Sequence, residues 1–84
     1  MRVFYHPRFK DSYRQMSDVV QRKAEQKERI FRADPFDRRL RTHKLHGRLK
    51  KQWSFSVDER YRILFEFDGA DVIFLDVGDH EIYR

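Results

Sequence analysis

From residue 52 onward the apolar residues fall on every second position, and this alternation limits the possible folds more than any other feature. Trp53, Phe55 and Val57 alternate with Gln52, Ser54 and Ser56. Tyr61, Ile63, Phe65 and Phe67 alternate with Arg60, Arg62, Leu64 and Glu66, and Ile73, Leu75 and Val77 with Val72, Phe74 and Asp76. A period of two marks strands with one buried face. Asp58-Glu59 and Asp68-Gly69-Ala70 interrupt the runs, as hairpin turns do. A three-strand antiparallel meander is expected. A one-residue slip would turn every side chain to the wrong face, so register follows from parity. Matching apolar to apolar sets Val57 opposite Tyr61, Phe55 opposite Ile63, Phe65 opposite Ile73 and Ile63 opposite Leu75. The other face then pairs Ser56 with Arg62 and Arg62 with Asp76, placing a guanidinium in mid-sheet between a hydroxyl and a carboxylate.

The first half has a different rhythm. Val3 and Tyr5 flank Phe4 in a short strand over Arg2–His6, closed by Pro7. Phe9, Tyr13, Met16, Val20, Ala24, Lys27 and Phe31 then recur at steps of three and four, the spacing of one helical face. Ser17-Asp18 supplies an N-cap in the middle. This predicts one helix near 8–15 and a second near 17–33, ended by Asp34-Pro35 because the residue before proline is disfavoured in the α region. Residues 35–51 show little pattern and read as a long connection, a length that is often functional. The expected fold is α+β, in the order β-α-α-β-β-β: a small antiparallel sheet with two N-terminal helices on one face. At 84 residues this is one domain, residues 1–84.

Charge is divided unevenly. Residues 1–51 carry 16 basic and 6 acidic side chains, and residues 52–84 carry 3 and 8. The basic density peaks from Arg38 to Lys51, with Arg39, Arg41, Lys44, Arg48 and Lys50 between them, His43 and His46 interspersed and no carboxylate. Such a field draws phosphates. The absence of cysteine excludes a disulfide framework and Cys-ligated zinc. The acidic residues lack ligand spacing, and three glycines make no phosphate loop. Neither a metal nor another cofactor is expected. No apolar run approaches a membrane span and the start lacks a signal-peptide pattern, so no membrane association and a cytoplasmic location are expected.

Three segments carry a family resemblance: Asp34-Pro35-Phe36 through Thr42-His43-Lys44-Leu45-His46-Gly47, Trp53-Ser54-Phe55-Ser56-Val57 through Tyr61-Arg62-Ile63-Leu64-Phe65, and Val77-Gly78-Asp79-His80-Glu81-Ile82-Tyr83. In this order and spacing they resemble the RelE/ParE toxin superfamily of bacterial toxin–antitoxin systems, and most of all its RelE/YafQ-like branch. The resemblance implies a ribosome-dependent mRNA endonuclease (an mRNA interferase) whose basic surface contacts 16S rRNA, neutralised by an antitoxin expected to be acidic and partly disordered. Residue by residue, His43 matches the family's loop histidine, Arg62 its central-strand arginine, His80 its terminal histidine and Tyr83 its near-terminal tyrosine. Where the YafQ-like hairpin carries a second histidine and an aspartate, this chain has Ser56 and Arg60.

Metal-independent RNA cleavage needs a base for the 2′-OH, charge stabilisation at phosphorus and an acid for the leaving 5′-oxygen. Imidazole suits proton transfer near neutral pH, so His80 is the leading candidate and His43 the second. Arg62 would neutralise developing charge. Lys50, Lys51 and Arg60 would grip phosphates, and Tyr83 would stack on a base or stiffen the tail. Two other classes fit the same chain: a ParE-like toxin that binds a protein such as DNA gyrase, and a basic RNA- or ribosome-binding protein without catalysis.

Overall fold

The computed structural model describes residues 1–47 and 51–83. Strand β1 (Val3–Tyr5) leads into helices α1 (Pro7–Gln15) and α2 (Asp18–Ala33). A 3-10 turn (Arg38–Leu40) and a two-residue strand, β2 (His43–Lys44), follow. Strands β3 (Trp53–Ser56), β4 (Arg62–Asp68) and β5 (Asp71–Gly78) form the meander, and a final 3-10 turn spans His80–Tyr83.

The helix boundaries follow from capping chemistry. His6 Nδ1 accepts from Arg8 N–H at 3.0 Å, with Pro7 opening α1 where a missing N–H costs nothing. Ser17 Oγ accepts from Val20 N–H at 3.2 Å and starts α2. Both helices lie within a residue of the expected limits.

The five strands run in the order β1-β5-β4-β3-β2. The α+β class and the expected element order hold, with two differences. First, β1 pairs parallel with β5, Val3 with Val72 and Tyr5 with Phe74, so the sheet is mixed. Second, the connection over 35–51 is not patternless. Its 3-10 turn buries Leu40 completely, and His43 and Lys44 pair with Ser54 and Trp53 as a fifth strand. Elements of two and three residues are too short to show a period.

Register is as expected in the first hairpin, where Phe55 pairs with Ile63, Ser56 with Arg62, and Val57 N–H donates to Tyr61 O at 2.9 Å. It differs in the second. Phe65 pairs with Phe74 rather than Ile73, and Ile63 with Val77 rather than Leu75. Ladder pairs skip Leu75 between Leu64 and Phe65, so a bulge lets Val72, Phe74 and Val77 all join the buried core. Four successive apolar residues, Val72 to Leu75, gave parity nothing to act on. Arg62 therefore lies opposite Gly78, not Asp76. Asp76 instead accepts from Ser12 Oγ of α1 at 2.6 Å and from its neighbour Val77 N–H at 2.9 Å. The β4–β5 turn places Gly69 at φ 60°, which a two-residue connection demands of its first central residue when that turn is type II′.

The core is aromatic. Phe31 of α2 stacks on Phe55 at 4.8 Å between ring centroids and meets Phe65 and Phe74 edge-on at 5.0 and 5.4 Å. All four rings are fully buried. Phe9 of α1 joins through Phe74 at 5.5 Å. Phe31→Ala is expected to cost about 3–5 kcal/mol, most of the stability of a small domain. The exposed Val19→Ala on the same helix is expected to stay within about 0.5 kcal/mol of the parent. Urea unfolding followed by circular dichroism measures both.

Candidate active site

The helices cover one face of the sheet. On the other lie His43, Ser54, Ser56, Arg62 and Leu64, by the alternation of paired strands. The chain after β5 turns back across this face. Asp79 organises the reversal: its carboxylate accepts from Glu81 N–H at 3.0 Å and its carbonyl from Ile82 N–H at 3.1 Å. Tyr83 then lies over β3, its hydroxyl 2.8 Å from Ser54 Oγ, which is fully buried. Gly78 permits the close pass, since a Cβ there would sit 2.6 Å from Ile82 Cγ2.

This reversal brings His80 and Tyr83 to one hollow of about 210 Å³, lined also by Glu59, Arg60 and Arg62. Arg62 is held from behind. Its Nη1 donates to the carbonyls of Asp58, Glu59 and Tyr61 at 2.7, 3.2 and 3.2 Å, so the β3–β4 turn fixes the guanidinium plane. Among the described residues Nε and Nη2 have no hydrogen-bond partner. The turn is itself set by Asp58, whose Oδ1 accepts from Arg60 and Tyr61 N–H at 2.9 and 2.7 Å and whose Oδ2 meets Lys23 Nζ at 3.4 Å. Partial burial pushes the Asp58 carboxyl up, but these hydrogen bonds together outweigh it and hold it below the usual aspartate range. The Arg60 guanidinium lies over the Tyr61 ring, 5.2 Å from its centroid.

Of the residues singled out in the sequence, His80, Arg62, Arg60 and Tyr83 share this hollow. His43 does not line it. It is exposed on β2 with Nδ1 3.0 Å from Arg41 O, two strands from Arg62. Strand spacing puts the two Cα atoms about 12 Å apart. Lys51 is exposed and outside the hollow, and Lys50 lies outside the described residues. Sequence reading missed Glu59, which read only as a turn residue, and Ser54, whose alternation marked a face but not its cover. Among the described residues no three His, Cys, Asp or Glu side chains gather as a metal site, and no helix is long and apolar enough to cross a membrane.

Residues 18–84 match the sequence profile of a family described as the ParE-like toxin domain. The chain belongs to that family. It is a toxin of a toxin–antitoxin system, within the RelE/ParE superfamily. The fold is similar to that of the YoeB/ParE toxin from Agrobacterium tumefaciens, with TM-score 0.81, 19% identity, and 95% of this chain and 99% of that one covered. YafQ from E. coli strain BL21(DE3) superposes with TM-score 0.78 at 13% identity over 99% and 98% of the two chains. The archaeal RelE–RelB complex from Pyrococcus horikoshii OT3 gives 0.75 at 16% over 93% and 92%. No curated protein sequence matches the chain.

Two outcomes test the geometry of this hollow in the ParE-like toxin. Gly78→Ala should lift the tail, because branched Ile82 cannot turn its methyl away within the 3-10 turn. The expected sign is a change in the NMR shifts of His80 and Tyr83 with those of Phe55 and Phe65 unmoved; unchanged tail shifts would contradict the close pass. Asp58 titrates lower when folded, so it stabilises the native state above the unfolded value of about 3.9 and loses that contribution as pH falls through the folded value. Asp58→Asn should therefore make the decline in stability from pH 6 to pH 3 shallower, as measured by urea midpoints.

Proposed function

We propose that this toxin is a ribosome-dependent mRNA endonuclease that cleaves by 2′-OH attack without a metal. The observation that carries the reading is the shared hollow of His80, Arg62 and Glu59, three groups from the tail, mid-sheet and hairpin turn. Together they match the three services such cleavage requires. Glu59, the carboxylate residue lining the hollow, takes the 2′-OH proton as the O2′–P bond forms. Arg62 offers Nε and Nη2 to the phosphorane oxygens, pre-oriented by the carbonyls behind it. His80 gives its proton to the 5′-oxygen as the P–O5′ bond breaks, leaving a 2′,3′-cyclic phosphate and a 5′-hydroxyl. Tyr83 stiffens the tail through Ser54 and offers a ring for stacking. Arg60 grips the scissile strand, and Lys50 and Lys51 its flanks and the 16S rRNA. Since His43 lies outside the hollow, this reading gives both proton transfers to Glu59 and His80 and leaves His43 as a contact for flanking RNA.

The neutralising partner in this reading is a cognate antitoxin, acidic and partly disordered, suited to a toxin of net charge +5. Two neighbours in fold are toxins solved with a partner, the DinJ–YafQ and RelE–RelB complexes.

A second reading has one observation in its favour: the matching profile is the ParE-like one, which fits a toxin that inhibits a protein target such as gyrase without cutting RNA. Primer extension on mRNA in a translating extract separates the two. Codon-linked breaks from the wild-type chain, reduced about 10²-fold or more by His80→Ala and by Arg62→Ala, support the endonuclease. Intact message together with inhibited supercoiling supports the other.

A further inference from the structure

Glu59 also borders a second hollow, of about 160 Å³, lined by Lys27, Arg39, Arg41, Ser56, Asp58 and Glu59. Three observations set it apart from an ordinary basic surface. Lys27 and Arg41 have no ion pair among the described residues, whereas Arg39 is forked onto Asp37 at 3.0 and 2.9 Å and Asp58 is engaged by Lys23 and its own turn. Ser56 is only 8% exposed, and its hydroxyl has no hydrogen-bond partner among the described residues. Arg41 holds φ 52° and ψ 41°, the sole non-glycine residue with positive φ among the described residues. Glycine or asparagine usually fills that conformation at a helix end, and a long side chain there carries strain that tends to mark function.

Ser56 and Arg62 are cross-strand partners, so their Cβ atoms lie on the order of 5 Å apart. Glu59 lines both hollows, so the two adjoin at that residue. We propose that the Lys27–Arg41–Ser56 hollow is a phosphate subsite for single-stranded RNA, receiving the phosphodiester next along the strand from the one held at Arg62 and His80. Its volume of about 160 Å³ has room for a phosphate. Lys27 and Arg41 bring two unpaired cations and Ser56 a hydroxyl, against the Asp58 carboxylate, which is already engaged by Lys23 and its own turn, and Glu59. The proposal rests on the endonuclease reading and specifies how that site sets the register of its substrate. It also gives a use to Ser56, one of the two hairpin positions that depart from the YafQ-like pattern.

The test is fluorescence anisotropy of the full chain with a labelled ten-nucleotide single-stranded RNA of mixed sequence across a salt series. Each lost phosphate contact lowers the slope of log affinity against log salt by about 0.7. Arg41→Gly and Lys27→Gln are each expected to lower it by that amount and to weaken binding several-fold at low salt. Ser56→Ala should weaken binding with the slope unchanged, and Arg22→Ala, an exposed cation elsewhere on α2, should change neither. Arg41→Gly should also melt no lower than wild type, because glycine accepts the backbone that arginine strains. Slopes unchanged in both cation variants would overturn the subsite, as would slopes lowered equally by Arg22→Ala, or no RNA binding by the wild-type chain. If wild type still cleaves message in the translating extract under any of these results, the endonuclease reading survives and only the subsite falls.

Discussion

The seating of Phe31 among Phe55, Phe65 and Phe74 fixes which face of the sheet the helices own. Once that face is closed by aromatic packing, every residue of opposite parity is committed to the other side. Ser54, Ser56 and Arg62 arrive together for this reason. The main cover of their face is the short reversal His80–Tyr83, with Lys27 of α2 reaching it only near Ser56 at the end of β3. A thin cover can be carried on one hydroxyl pair and one glycine contact, and it leaves openings at its margins where charged groups meet solvent.

Electrostatics within those openings is arranged by backbone as much as by charge. Three carbonyls of the hairpin turn orient Arg62, and Asp58 in turn orders the hairpin by accepting its N–H groups. The guanidinium is thus aimed without an acidic partner that would neutralise it. The expected Arg62–Asp76 pair would have done the opposite, neutralising the guanidinium with a carboxylate. Its loss to a one-residue bulge turns a structural ion pair into an available cation.

Much of this was legible in the sequence. Period two and period three-to-four fixed the helices, the first hairpin and the Ser56–Arg62 pair, because each had polar residues on the alternate positions. The family resemblance around residues 77–83 singled out His80 and Tyr83, and that around residues 53–65 singled out Arg62. What could not be read has physical causes. Val72, Ile73, Phe74 and Leu75 are all apolar, so neither parity nor the bulge was visible. The parallel pairing of β1 depends on a long-range choice of neighbour, and β2 is too short for any period. Glu59 and Arg41 act through turn geometry: one stands where two hollows meet, the other in a left-handed conformation that no composition rule assigns to arginine.

The parallel union of β1 with β5 has a kinetic side. Val3 must wait for Val72, so a chain emerging from its amino end cannot close this edge until nearly every residue is made. Pairings of such separation are slow to form, and His80 and Tyr83 come later still. An interrupted product thus holds Arg62 with neither His80 nor Tyr83 to complete the hollow beside it.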